Sequence, residues 1–144
     1  ELADLNTSVK TGGSAGASYT AALSYGGMTG PSTTTANTES WNGSAWTEVA
    51  DLNDARRYLN NYSCGTYTSA LAIGGEAPLG AKTETWNGTA WTETGNLSNA
   101  RTGGSSTGCA DNGSGIVAGG VGGISTHVEE FVSPTTSTVT FTAS

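Results

Sequence analysis

The sequence is short of charge, and shortest of positive charge. Five Lys and Arg stand against 12 Asp and Glu, giving a net charge of −7, and charged residues make up only 12% of the chain. Nucleic acid is therefore not an expected partner, because phosphate binding needs a basic face. Long apolar runs are missing too. The longest falls far short of the roughly 20 residues that cross a bilayer as a helix, so no membrane insertion is expected. A single histidine, His127, is too few for a copper or zinc centre, which generally takes two or more such ligands. Neither a metal nor another cofactor is expected. Two cysteines, Cys64 and Cys109, cannot make a disulfide scaffold. Each precedes a Gly-Gly pair by ten residues, at Gly74 and Gly119, so they hold equivalent places in a repeat. Equivalent places in adjacent repeats usually exceed the ~7 Å Cα separation that a disulfide tolerates. Both are expected as buried free thiols. No leader peptide is visible and the first residue is Glu1. The expectation is a processed chain or the last part of a longer polypeptide.

What is abundant is Gly, at 22 residues, together with Ser and Thr. These are poor helix formers and suit short strands joined by tight turns. The 144 residues are enough for one domain. They carry an internal repeat. "TESWNGSAWTE" at 38–48 returns as "TETWNGTAWTE" at 83–93, so Trp41 to Trp86 and Trp46 to Trp91 are each 45 residues. "ELADLN", "EVADLN" and "ETGNLS" recur from residues 1, 48 and 93. Apolar runs ending in Gly26-Gly27, Gly74-Gly75 and Gly119-Gly120 recur, as do Arg56 and Arg101, with Val9 beside Lys10 in the first copy. A period of this length, built of strand-like pieces, predicts the blades of a β-propeller. Helical repeats would need long segments of 3.6-residue periodicity, and none occurs.

Each period reads as four strands. Strand A follows the Arg, as in "RRYLNNYSC" at 56–64; strand B is the apolar run before Gly-Gly; strand C is "TETW"; strand D is "AWTEV" or "AWTET". Strand B is small or apolar at nearly every position, which predicts burial on both faces in all three copies. Asn-Gly predicts a type I′ hairpin between C and D, both residues at positive φ. The tryptophans would flank it, one on each strand, where a cross-strand aromatic contact adds about 0.5–1.5 kcal/mol. The expected organisation is a single repeat domain, 1–144, with a lead-in strand at 1–6 and blades at 7–50, 54–95 and 99–144. The third copy departs: its C and D strands are "HVEEFV" and "STVTFTA", and Phe131 and Phe141 replace the tryptophans. It reads as a C-terminal cap. Since propellers generally have 4–8 blades, three cannot close a ring. The ring would be completed by another chain or by missing blades, or the blades would stack into an open assembly.

The Arg, the apolar strand ending in Gly-Gly and the following Trp together resemble the kelch repeat. "TESWNG", "SAWTEVADLN", "DAR" and "ALAIGGE" resemble more specifically the kelch-like arrays of marine bacteriophages and related environmental sequences. Those arrays often end with a "TEEF" or "VEEF" type of strand and a short Thr-rich tail, which "HVEEFVSPTTSTVTFTAS" matches here. The resemblance implies an all-β, kelch-like propeller in an extracellular or virion protein, such as a tail fibre or other adhesive appendage. Some kelch-like propellers are oxidases with copper held by His and Tyr, and the lone His127 does not support that chemistry.

No catalytic set is apparent, and no enzyme is expected. Glu39, Glu84 and Glu129 recur on the C strands, and Glu48 and Glu93 on the D strands. They read as solvated outer positions. Arg56 and Arg101 read as structural donors to backbone carbonyls of the neighbouring blade. Asn-X-Ser/Thr sequons begin at Asn6, Asn42, Asn61, Asn87, Asn96 and Asn112. They are acceptor patterns for glycosylation, but Asn-Gly followed by Ser or Thr is more simply what a hairpin turn entering a Thr-rich strand looks like. Binding residues are sought where the repeats disagree. "RRYLNNY" faces "RTGGSST", which makes Arg57, Tyr58, Asn60, Asn61 and Tyr62 specific to one blade. The loops at 28–37 and 76–81 vary as well. The expected partners are further copies or blades, virion proteins, and a host-surface glycan.

Overall fold

The computed structural model describes residues 2–59, 63–76, 78–103, 105–107, 112–120 and 126–132. Among them the chain is all-β, with no helix and eleven strands in three antiparallel sheets. The first sheet holds β1 (Gly13–Ser18), β2 (Ala21–Tyr25), β3 (Thr38–Trp41) and β4 (Trp46–Val49). The middle sheet holds β5 (Ser63–Thr66), β6 (Ser69–Ile73), β7 (Thr83–Trp86) and β8 (Trp91–Glu93). The last holds β9 (Ser105–Thr107), β10 (Ser114–Ala118) and β11 (Val128–Val132). Strands follow chain order in every sheet. The expected final strand at 137–143 with Phe141, and Cys109, Asn60, Asn61 and Tyr62, lie outside the described residues.

Residues opposed in an antiparallel pair share a face. Ala22, Trp41 and Trp46 therefore lie together, as do Ala70, Trp86 and Trp91, and Gly115 with Phe131. This is the tryptophan face of each sheet. Leu23 and Tyr25, Leu71 and Ile73, and Ile116 and Ala118 lie on the opposite face. The core forms where the opposite face of one sheet meets the tryptophan face of the next. Leu23, Tyr25 and Ala15 pack with Ala70, Ala72, Trp86 and Trp91. Leu71 and Ile73 pack with Val117 and Phe131. Consequently β6 is buried on both faces, while β2 and β10 are covered on one. Two-sided burial thus holds only for the middle sheet, because each end sheet has one neighbour.

Three further expectations need correction. The first strand of the middle sheet does not run from Arg56. Residues 56–59 are not in a strand, because Tyr58 sits at φ 61°, a left-handed conformation that breaks an extended run, and β5 is described from Ser63. The C–D connection is not a type I′ turn. Four residues, 42–45, join β3 to β4, and four, 87–90, join β7 to β8. Only the glycines take positive φ there, 95° at Gly43 and at Gly88. Asn42 Oδ1 accepts from the N–H groups of Ser44 and Ala45, each at 2.9 Å, so the side chain organises the turn. Asn87 does the same for Thr89 and Ala90. Finally, Cys64 is disulfide-bonded rather than a free thiol. It stands on β5, which lies against β1 on one side and β9 on the other. First strands of successive sheets thus approach one another.

The aromatic pairs are as expected. Trp41 and Trp46 have ring centroids 5.3 Å apart, and Trp86 and Trp91 5.4 Å. Trp91 also reaches the preceding sheet. Its ring lies 4.8 Å from that of Tyr25, and its Nε1 donates to Thr38 Oγ1 at 3.0 Å. Tyr25 in turn donates its hydroxyl to the carbonyl of Leu71 at 3.0 Å.

Candidate functional site

Two kinds of polar constellation stand at the Gly-Gly end of the sheets. The first recurs. Arg56 Nη1 donates to the carbonyls of Gly74 and Lys82, and Nη2 to Glu84 Oε1, all at 2.9 Å. Asn53 adds its N–H and Nδ2 to Glu84 Oε2, each at 2.8 Å. Both charged side chains are 0% exposed. Burial pulls the guanidinium below its ordinary value, against the pull of Glu84. In the last sheet Arg101 contacts the carbonyls of Gly119 and His127 and pairs with Glu129. In the first sheet Val9 stands where the Arg would be, and Glu39 accepts from Asn6 N and Nδ2 and from Thr7 N.

These contacts revise two expectations. Glu39 and Glu84 are buried and Glu129 is half-buried, so the recurring C-strand acids are clasped rather than solvated. Glu48 and Glu93 are exposed. The Arg forks reach carbonyls of their own sheet rather than of the neighbour. The tie between sheets is the backbone carbonyl instead: Gly27 N–H donates to Arg56 O at 2.7 Å and Gly75 N–H to Arg101 O at 3.4 Å. Glycine is required for this approach. At Gly26, φ is 62° and a Cβ would meet Arg56 O at 2.8 Å. Glu84 is held by three donors and its side chain is closed to solvent, so the clasp is structural.

The second constellation occurs once. Arg57 Nη2 donates to Glu76 Oε1 at 2.7 Å, and Nε donates to Glu76 Oε2. Nη1 lies 3.5 Å from Met28 Sδ, and the guanidinium stands 5.3 Å from the centre of the Tyr58 ring. The hydrogen bond from Arg57 holds the Glu76 carboxyl below its usual range and raises Arg57 in turn. Two clefts adjoin the group. One, of about 180 Å³, includes Thr34, Arg57, Glu76 and Pro78; the other, of about 320 Å³, includes Lys10, Met28, Thr29 and Pro31. Segments 28–37, 57–58 and 76–81, each singled out because the repeats differ there, are thus brought to one end. The contributions of Glu76 and Met28 went unmarked in the sequence, although each opens one of those variable loops. Charge is cancelled within the Arg57–Glu76 pair, leaving the Tyr58 ring and the hydroxyls of the Thr-rich loop at 28–37.

At the other end of the sheets, Tyr19 and Tyr67 are exposed in the turns after β1 and β5. Their carbonyls accept from Trp41 Nε1 at 2.9 Å and Trp86 Nε1 at 3.0 Å, so these turns serve to anchor the tryptophans. Of the sequons, Asn6 Nδ2 is bonded to Glu39 and to the carbonyl of Trp46, and Asn112 Nδ2 to the carbonyl of Trp86. Asn42, Asn87 and Asn96 are exposed. His127 is exposed, and among the described residues no group of three or more His, Cys, Asp or Glu could hold a metal ion. No described helix is long and apolar enough to cross a membrane.

The left-handed Tyr58 has equivalents in Thr11, at φ 59°, and Gly103, at φ 71°. The conformation belongs to the repeat, and only the last copy meets it with glycine. Tyr58→Gly is therefore expected to be more stable than Tyr58→Ala by roughly 1 kcal/mol, since a Cβ at this φ costs about 1–2 kcal/mol. Urea unfolding of the two variants checks this, and a more stable alanine variant would contradict the assignment.

No protein-family model and no curated protein matches the chain.

Proposed function

We propose that the chain is a non-enzymatic, kelch-like β-propeller module of a phage virion, in a tail fibre or other appendage, serving structure and attachment to surface glycans. The observation that carries this reading is the convergence of the variable loops, through Arg57, Glu76, Met28 and Tyr58, on one end of an otherwise regular scaffold. Loops positioned by rigid sheets are where binding functions concentrate. The Tyr58 ring beside a neutralised ion pair suits a neutral, hydroxyl-rich ligand better than an ionic one. Four-stranded meanders whose first strands lie side by side are consistent with propeller blades. A disulfide at Cys64 suits an extracellular or virion location, since disulfides persist in oxidising surroundings.

The test is a glycan array probed with the wild-type chain and with Arg57→Ala. Retention of a defined glycan by the wild type, weakened at least tenfold in the variant, is the expected result. Cleavage of a polysaccharide without stable retention would overturn the reading. A second reading, a structural subunit of an extracellular filament or bacterial surface protein, is favoured by one observation: Ile116, Val128 and Val132 are large apolar side chains exposed around Glu130 on one face of the last sheet.

A further inference from the structure

The two ends of the array are unfinished in complementary ways. Between the first and middle sheets, Trp91 and Ala72 on a tryptophan face meet Tyr25 and Thr38 on an opposite face. The equivalents of Trp91 and Ala72 in the first sheet are Trp46 and Ser24. They are half-exposed, whereas Trp91 is 5% and Ala72 0% exposed. The equivalents of Thr38 and Tyr25 in the last sheet are Val128 and Ala118. Val128 is 64% exposed where Thr38 is 0%. Ile116 and Val132 lie on the same face through their pairing partners, exposed by 42% and 61%.

Thus the chain presents one uncovered tryptophan face and one uncovered opposite face. The same two kinds of face already join twice within it. The partner chemistry is defined by those internal junctions: it is another sheet of this repeat, in the same order.

From this continuity we infer that a second copy of the chain docks head to tail on the first. The opposite face of the last sheet of each copy covers the tryptophan face of the first sheet of the other. Trp46 of one copy takes the place beside Val128 and Ala118 that Trp91 takes beside Thr38 and Tyr25. Val128 replaces a hydrogen-bonding Thr, so the contact beside Trp46 is apolar where the one beside Trp91 is polar, and Glu130, paired with Ile116, lies on the same face. The contact is heterologous, because two different surfaces meet. With two such junctions the pair closes on itself as six sheets, a number within the 4–8 that rings of this kind contain. The inference does not depend on the ligand, and failure of glycan binding leaves it standing.

The experiment measures mass in solution by light scattering and native mass spectrometry, using the chain and two variants. Val128→Glu blocks the last sheet, and Ser24→Arg blocks the first. The wild type is expected at twice the mass of one chain. Each variant alone is expected to fall to half that mass, while an equimolar mixture returns to two chains through its single intact junction. Circular dichroism shows that each variant is folded, which the exposure of Val128 permits. A monomeric wild type, open-ended polymers, or a folded single variant that still pairs with itself would each overturn the proposal.

Discussion

Arg56→Ala is expected to lower the stability of the chain by about 3–5 kcal/mol, the usual loss when one partner of a buried ion pair is removed. The size follows from what remains. Glu84 would keep its burial and lose its countercharge, and the carbonyls of Gly74 and Lys82 would each lose a donor. Burying the guanidinium costs desolvation, so the intact pair is no large net gain over an apolar pair. It is the orphaned carboxylate that destabilises. Arg101→Ala makes the comparison, since its partner Glu129 is 19% exposed against 0% for Glu84 and water can replace part of the lost contact. Urea unfolding followed by tryptophan fluorescence should rank Arg56→Ala well below Arg101→Ala. A loss at Arg56 under about 1 kcal/mol, the range of surface pairs, would show that the clasp is not closed in solution.

The second large effect is expected at Trp91. Truncation to alanine removes a buried ring that touches Trp86 and Tyr25 and a donor to Thr38 Oγ1, and is expected to cost about 3–5 kcal/mol. Trp46→Ala changes the same residue type at the same repeat position. Its ring is half-exposed and packs on Trp41 alone among the aromatic contacts described, so the expected cost in dilute solution is a fraction of that at Trp91. If the tryptophan face of the first sheet is covered by a second copy, the gap between the two variants narrows as protein concentration rises. Equal effects at all concentrations would mean that the sheet-to-sheet junction carries little of the stability.

Most of the architecture was legible because it repeats. The 45-residue spacing located the paired tryptophans, and three apolar runs marked β2, β6 and β10. Less legible was everything set by a partner distant in sequence. Glu84 looks like a surface acid until Arg56 and Asn53, about thirty residues earlier, are seen to enclose it. The hairpin signal at Asn42-Gly43 was read as a two-residue turn, because the side-chain bonds from Asn42 that stabilise a longer one leave no pattern in composition. The Cys64 disulfide was missed because equivalent places in adjacent repeats were expected too far apart, whereas the first strands of successive sheets lie side by side. At the variable end, disagreement between repeats pointed to Arg57 and Tyr58. It could not show that Glu76 neutralises the first or that the second is left-handed.

The segment between the first and middle sheets carries one more consequence. Leu52, Arg56 and Leu59 are 4%, 2% and 0% exposed, so the connection is pinned into the protein at three points. It cannot serve as a hinge, because swinging one sheet against the other would extract a clasped charge and two leucines. Met28 from one sheet and Glu76 from the next therefore meet Arg57 at a fixed spacing. A ligand lying across both loops would find its contacts already in register and would spend none of its binding energy on ordering them.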